Sequence, residues 1–459
     1  MGKNGEAGVS GGSTPRRIGL VSAMVISALL MTWLGFLISG VLAFGSIMLL
    51  ARGAYSATDQ VIAGSWPRQA CIGREIQGQV LGLIGCGNVA RETAKRAKAL
   101  GMSAIAHDPY DDCSQSGRPS RSNKMTDYVL SPADAQNLIV SILKRHETST
   151  ANALHVAKAL VAAEMDGQRG HGLSRVPSYA AQSASGKVDG RAVPVVAGRK
   201  SGAVRIDAAN GFAYPALDLA ISELTTLTKE TGIAAASVFR SHHFGQAGYH
   251  AERLAENGLV ALVFGNSPKA IAPWGGSKGL FGTNPIAFAA PRSNSPPLLI
   301  DLSLSKVARG KVMVAQQKGE PIPEGWALDE NGQSTTDPTA ALKGTMLPMG
   351  EAKGAALVLM VEILAAGLSG AHFGYEATSF FTADGPSPGV GQLILAFDPE
   401  SLSGGSFSSR LEELISEILT QDNVRLPGTR RIALRQKALH DGIRIPSDLF
   451  SELNALNQR

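Results

Sequence analysis

The sequence predicts an α/β protein, a short strand–helix–strand unit followed by a larger α/β body. Two stretches predict this. In residues 232–269 an apolar, β-rich run (233–239) passes through Arg240-Ser241-His242-His243-Phe244-Gly245 into a helical segment over 246–257. A second apolar run (259–264) then opens into Gly265-Asn266-Ser267-Pro268-Lys269, and the whole reads as strand, helix, strand. In residues 78–108 an apolar strand meets Gly85-Cys86-Gly87-Asn88-Val89-Ala90, a helix-like run reaches Leu100, and a second strand ends in Asp108.

A chain of 459 residues with 44% hydrophobic content has room for two or three domains and a substantial core. Cys71, Cys86 and Cys113 all fall in the first quarter and form no CxxC pair. No disulfide framework follows, which points to a reducing, cytoplasmic setting. The net charge of +5 is concentrated toward the front, while the remainder is close to balanced. The basic residues form no cluster interleaved with aromatics, so they read as solvated surface and not as a nucleic-acid site.

Taken in order, residues 1–17 begin Gly/Ser-rich without an apolar face and predict disorder. Residues 18–51 carry no charge and are flanked by Arg16-Arg17 and Arg52. That run exceeds the roughly 20 residues a membrane helix needs; the alternative is one buried helix, or two broken near Gly35 or Gly40. Residues 52–110 hold the glycine turn. Gly85 and Gly87 permit a tight turn and close approach of a pyrophosphate to a helix N-terminus, and Asp108 is placed to bind the ribose hydroxyls of NAD. Strand, helix, strand and acid in register predict a Rossmann β-α-β unit. Residues 111–125 are polar and punctuated, a linker.

The second domain starts near residue 126. Ser131 before Pro132 is a helix start, and Ser149 precedes an Ala-rich helix reaching about Met165. That helix delivers His171 and Arg175, about a turn apart if the segment from Leu173 is helical. An imidazole and a guanidinium so spaced suit a 2-oxo acid: a proton source for the developing alkoxide and a clamp for the carboxylate. The alternative is a capping histidine and a structural ion pair. If the strands at 233–239 and 259–264 run parallel, the His242-His243 loop and the Asn266-Ser267 loop emerge at one carboxyl edge. Asp207 to Phe212 form a turn before another helix, residues 298–303 a strand with a polar end, and residues 321–338 a loop. Residues 348–354 open a long apolar helix to about Leu368, whose first turn and Lys353 offer a phosphate or carboxylate seat, or an ordinary glycine-rich cap. Residues 426–431 form a turn bearing two cations. A metal site at His242, His243 and His250 is disfavoured, because Gly245 interrupts any helix joining them and no carboxylate completes the set.

Met48-Leu49-Leu50-Ala51-Arg52, Ser65-Trp66-Pro67-Arg68, the glycine turn and Asp108-Pro109 resemble the D-isomer-specific 2-hydroxyacid dehydrogenases over about residues 40–110. That family's catalytic Arg, Glu and His have no counterpart before the next domain, so the front piece is expected to be an incomplete Rossmann fragment.

From about residue 126 onward a second and longer resemblance is carried by His171 to Pro177, Asp207 to Phe212, Ser241 to Gly245, Ala272 to Gly276, Gly282 to Pro285, Ile300-Asp301, Gly350 to Gly354 and Pro427-Gly428. These motifs resemble the malate/L-lactate/L-sulfolactate dehydrogenase family. The resemblance implies a mixed-sheet, non-Rossmann α/β fold, a homodimer, and NAD(P)-dependent hydride transfer to and from a 2-hydroxy acid. By position it implies acid/base roles for His171 and His243 and carboxylate binding by Arg175. It implies dinucleotide contacts from Ser267, Asp301, Leu302, Ser303, Lys353, Gly428, Thr429 and Arg430. Members often carry Glu where Thr429 stands; with Arg430-Arg431 kept, the pattern inclines toward NADP over NAD. Ser241-His242-His243 and Asn266 to Pro273 most resemble the (R)-sulfolactate branch, so (R)-3-sulfolactate/3-sulfopyruvate is the expected pair. Malate, lactate or ureidoglycolate, or a non-catalytic membrane-tethered fusion, are the alternatives. With unperturbed histidines, activity is expected to respond to pH between about 6 and 8.

Overall fold

The computed structural model describes residues 77–84, 88–107 and 127–458, and the chain divides into two compact units, Met1–Lys124 and Met125–Arg459. In the first unit, strand β1 (Val80–Ile84), helix α1 (Asn88–Ala99) and strand β2 (Ser103–His107) follow one another. β1 and β2 pair in parallel, Val80 opposite Ser103 and Ile84 opposite His107. The expectations at Gly85, Gly87 and Asp108, and those for residues 1–17 and 18–51, lie outside the described residues. Among the described residues no helix is long and apolar enough to cross a membrane.

The second unit opens with β3 (Tyr128–Leu130), α2 (Pro132–Arg145) and α3 (Thr150–Met165). Both helices start where their caps dictate. Ser131 Oγ accepts from the Asp134 amide and Ser149 Oγ from the Asn152 amide, each satisfying an otherwise unpaired first-turn donor. After α3 come two short 3-10 turns, Arg169–His171 and Leu173–Arg175, and then α4 (Val176–Ala184). The α-helix expected from Leu173 therefore begins three residues later, and His171 and Arg175 sit on tight turns ahead of it.

The centre of the unit is assembled from β4 (Val195–Lys200), β5 (Ala203–Asp207), α5 (Ala213–Thr231), β6 (Ile233–Ser241), α6 (Ala247–Glu256), β7 (Val260–Gly265), β8 (Ile286–Ala290) and β9 (Leu298–Leu302). Then follow α7 (Arg309–Lys318), β10 (Ala327–Leu328), β11 (Ser334–Thr335), α8 (Pro338–Lys343), β12 (Thr345–Met346) and α9 (Glu351–Glu362), continued by a π-helical turn, Ile363–Gly367. The chain ends with β13 (Val390–Phe397), α10 (Pro399–Ser403), α11 (Phe407–Leu419), α12 (Thr429–Asp441), β14 (Ile443–Ile445) and α13 (Ser447–Gln458). The segment expected to be plain loop, 321–338, supplies β10 and β11, which join β12 in a small antiparallel sheet.

The main sheet has seven strands in the order β4-β5-β6-β13-β7-β8-β9. It is mixed: β5 and β6 are parallel, and the other neighbours are antiparallel. β6 and β7 do run in the same direction, but they do not pair, because β13 lies between them and opposes both. The reason is burial. Val390 to Phe397 (VGQLILAF) is an almost unbroken apolar run, and such a strand belongs at a sheet centre covered on both faces. β9, antiparallel to β8, ends on the same edge as β6 and β7. One face packs α5 and α6 through residues such as Leu217, Leu224, Leu254 and Ile394. The other face meets a second apolar cluster that includes Phe264, Leu304, Val358 and Leu393. α2, α3, α4, α13 and β14 enclose a separate core around Ile139, Leu160 and Tyr179.

Candidate active site

Two loops that are 72 residues apart in sequence (171 and 243) bring their imidazoles together: the His171 and His243 rings stack with centroids 5.2 Å apart and planes 15° from parallel. Local structure explains each placement. His171 closes the 3-10 turn after α3, and Gly172 behind it is packed so closely on Glu164 that an added Cβ would lie 2.2 Å from Oε2. His243 follows β6 in a wholly buried segment that turns through Gly245 (φ +71°) into α6.

His243 Nδ1 shares a 2.6 Å hydrogen bond with the Tyr179 hydroxyl, which lies 3.1 Å from that of Tyr214. His242 Nε2 donates to Gln182 Oε1 at 2.9 Å. His250 Nε2 donates to the Phe244 carbonyl at 2.9 Å. Among the described residues no group of three His, Cys, Asp or Glu side chains is placed to hold a metal ion.

Arg175 lies beside the pair. Its Nε donates to the Gly170 carbonyl at 2.7 Å, and its Cζ stands 4.5 Å from the centre of the Phe381 ring. Three buried nitrogens here have no partner: His171 Nδ1, Arg175 Nη1 and His242 Nδ1. Buried polar atoms are ordinarily paired, and orphans beside one another mark a place for a ligand.

Burial, with Arg175 adding to it, lowers the His171 pKa to about 4 and His243 well below its usual value. Burial likewise lowers His242 to about 3, and raises Tyr179 to about 12. The expectation of ordinary histidines titrating near neutrality is therefore corrected, since desolvation penalises the imidazolium and a neighbouring guanidinium repels it.

Of the residues assigned to the dinucleotide, Ser267 follows β7, Leu302 ends β9 and Ser303 follows it, at the same edge of the sheet. Ser267 Oγ accepts from the Thr283 amide at 3.1 Å; the Thr283 carbonyl accepts from Leu304 N at 2.9 Å, and Leu304 O from Met349 N at 2.8 Å. This ladder joins the Ser267, Ser303 and Gly350–Lys353 loops. Leu302, Ser303 and Lys353 are exposed. Gly354, in the first turn of α9, lies against Met349, where a side chain would collide with the Met349 carbonyl. Gly428, at φ +83°, starts α12 against Leu299 of β9, and Thr429 and Arg430 face solvent.

Asp301 and Arg431 meet beneath these loops. Asp301 Oδ2 accepts from the Gly248 amide at 2.8 Å, at the start of α6, and lies 3.9 Å from Arg431 Nη1. Burial raises its pKa. Arg431 is buried; its Nε donates to Asp166 Oδ2 at 2.5 Å, and Arg435 bridges Asp166 and Glu252. Of the two cations expected on this turn, Arg430 is exposed and Arg431 is held inside an ion-pair cluster.

The sequence reading missed Tyr179, Gln182, Lys187, Phe380 and Phe381. Phe380 packs 5.2 Å from His243 and 5.3 Å from His242. Its loop is pinned by Lys187 Nζ, which donates to the carbonyls of Ser379, Thr382 and Asp384, and by Gln182, which donates to that of Phe380. A periodicity signal was available for Tyr179, since His171, Arg175 and Tyr179 recur at every fourth residue. Two adjacent aromatics in a polar, glycine- and proline-rich stretch are a weaker hint at Phe380 and Phe381.

Residues 130–454 match the family model described as malate/L-lactate dehydrogenase, and residues 44–158 match that of the D-isomer specific 2-hydroxyacid dehydrogenase, NAD binding domain. The chain is 51% identical over 329 residues to a (2R)-3-sulfolactate dehydrogenase (NADP(+)) of Chromohalobacter salexigens, covering 71% of this chain and 97% of that one. Among solved structures it is similar to Δ1-piperideine-2-carboxylate reductase from Pseudomonas syringae, with TM-score 0.68, 40% identity, and 72% and 99% of the two chains covered. It is also similar to sulfolactate dehydrogenase from Methanocaldococcus jannaschii, with TM-score 0.67, 29% identity, and 72% and 97% covered. Mixed sheet, paired histidine loops and these matches over the second unit lead to one assignment: the chain belongs to the malate/L-lactate dehydrogenase family.

Proposed function

We propose that the second unit catalyses reversible hydride transfer between NAD(P) and an L-type 2-hydroxy acid, with (R)-3-sulfolactate/3-sulfopyruvate as the preferred pair and NADP as the preferred cofactor. The observation that carries this reading is the pair of unpartnered nitrogens, His171 Nδ1 and Arg175 Nη1, beside the stacked imidazoles. When bound, the nicotinamide supplies or accepts the hydride at C4. Arg175 holds the substrate carboxylate, with Phe381 setting the plane of its guanidinium. His171, the more accessible imidazole, exchanges the proton with the C2 oxygen, and His243, tied to Tyr179, orients it. Exposed Ser303, Lys353, Thr429 and Arg430, together with Ser267, form a polar donor set suited to a dinucleotide. The front β-α-β is read as a partial nucleotide-binding fragment that takes no part in the chemistry. A homodimer is supported by Leu359, Met360 and Ile363, which leave an apolar face of α9 and its π turn exposed.

The test is oxidation of NADPH and NADH against a panel of 2-oxo acids. Turnover with 3-sulfopyruvate above oxaloacetate and pyruvate supports the assignment; no turnover with any of them removes it. Arg175→Gln is expected to raise KM for the 2-oxo acid by about a hundredfold, the loss of a buried charge-assisted contact, with a smaller change in kcat. An unchanged KM would take the carboxylate away from Arg175.

Neutral histidines fix the pH behaviour. Oxidation of the hydroxy acid needs a neutral imidazole, so its kcat/KM should stay level between about pH 6 and 8 and fall only as pH approaches the free-enzyme pKa, about 4 for His171. Reduction should slow as pH rises, because the protonated fraction drops about tenfold per unit above the pKa. A break near 6.5 in oxidation would place the base elsewhere. The same lowered pKa favours a second reading. A cyclic imine such as Δ1-piperideine-2-carboxylate can arrive carrying its own proton and needs no imidazolium, so that compound belongs in the panel.

A further inference from the structure

Beside the Ser267 loop a cavity of about 400 Å³ is lined by Lys269, Lys278, Arg309 and Lys343, against the single acid Glu330. Among the described residues none of these four cations has an ion-pair partner. Arg309 donates through Nη2 to the Leu342 carbonyl at 2.8 Å, which fixes its guanidinium at the cavity wall, and burial lowers its pKa. Thr345, on the same wall, is 4% exposed and keeps a buried hydroxyl without a hydrogen-bond partner. Four converging cations repel one another, and an orphaned hydroxyl beside them loses its hydration; both penalties disappear when an anion with several acceptor oxygens occupies the space.

We propose that this cavity is a phosphate-binding site, in which Lys269, Lys278, Arg309 and Lys343 neutralise a phosphate-bearing group and Thr345 donates to one of its oxygens. A carboxylate offers too few acceptors and too little charge for this set, whereas a phosphate monoester carries close to two negative charges and three equivalent oxygens. The phosphate belongs either to the dinucleotide, whose assigned contact Ser267 is two residues from Lys269, or to a free phosphate ester. Only the first source rests on the dehydrogenase reading.

The experiment is isothermal calorimetry of inorganic pyrophosphate binding to the full chain, to Lys278→Gln/Lys343→Gln and to Thr345→Val. Both lysines are exposed, so the double variant keeps the fold. The wild type is expected to bind pyrophosphate, the double variant at least about tenfold more weakly, and Thr345→Val a few-fold more weakly. Repeating the titration with saturating cofactor separates the sources. Displacement by NADPH but not NADH assigns the cavity to the 2′-phosphate, displacement by both to the diphosphate they share, and by neither to a free phosphate ester. Equal affinity in wild type and double variant, or no binding to the wild type, overturns the proposal. Pyrophosphate binding that holds in a protein inactive on every 2-oxo acid leaves the site standing and removes the dehydrogenase reading alone.

Discussion

Alanine at His171 or at His243 is expected to lower turnover of 3-sulfopyruvate with NADPH by about 10²–10⁴-fold, the usual range for removing a positioned acid or base. The two losses should not add in the double variant, because the rings stack 5.2 Å apart and act on one proton. Their signatures should differ. His171 is partly exposed and its Nδ1 lacks a protein partner, so its replacement should leave stability nearly unchanged. His243 is buried and bonded to Tyr179, so alanine there should also destabilise the fold. Steady-state kinetics alongside urea denaturation separate the effects. Wild-type turnover from both single variants would end the assignment.

Asp166→Ala is expected to destabilise the second unit by about 3–5 kcal/mol, the range for removing one partner from a buried ion pair. Asp166 has a fully buried side chain and accepts from Arg431, Arg435 and Gln246, at 2.5, 2.7 and 3.0 Å. Removing it leaves the buried Arg431 with Glu252 at 3.6 Å and Asp301 at 3.9 Å, neither within hydrogen-bond distance. The effect should reach the site, because Asp166 ends the helix that delivers His171 and Gln246 follows His243 by three residues. A fall in denaturation midpoint with unchanged slope would register the loss. A difference below about 1 kcal/mol would mean the cluster contributes little beyond shape.

Much of the fold was readable locally. Ser131 and Ser149 announced their helices, the apolar runs at 233–239 and 259–264 announced β6 and β7, and the loops between them carried the residue types that a 2-oxo acid requires. What the local pattern could not show is adjacency. β13, an apolar strand at 390–397, inserts between β6 and β7, and no feature within 232–265 signals it. Arg431 reads as a surface cation next to Arg430 in sequence, yet one residue along a helix is a rotation of about 100°, and the structure turns it into the protein.

The residues by themselves determined which groups can meet a 2-oxo acid, where strands and helices begin, and to which family the second unit belongs. Only the tertiary structure decided the charge those groups carry. His171 and His243 look like ordinary imidazoles in sequence; with His243 packed against Tyr179 and Phe380, His171 stacked on His243, and the Arg175 charge beside both, they lose the water that would stabilise an imidazolium. Desolvation depends on everything packed around a ring, and here that packing comes from segments about 200 residues apart (179–182 and 380–381).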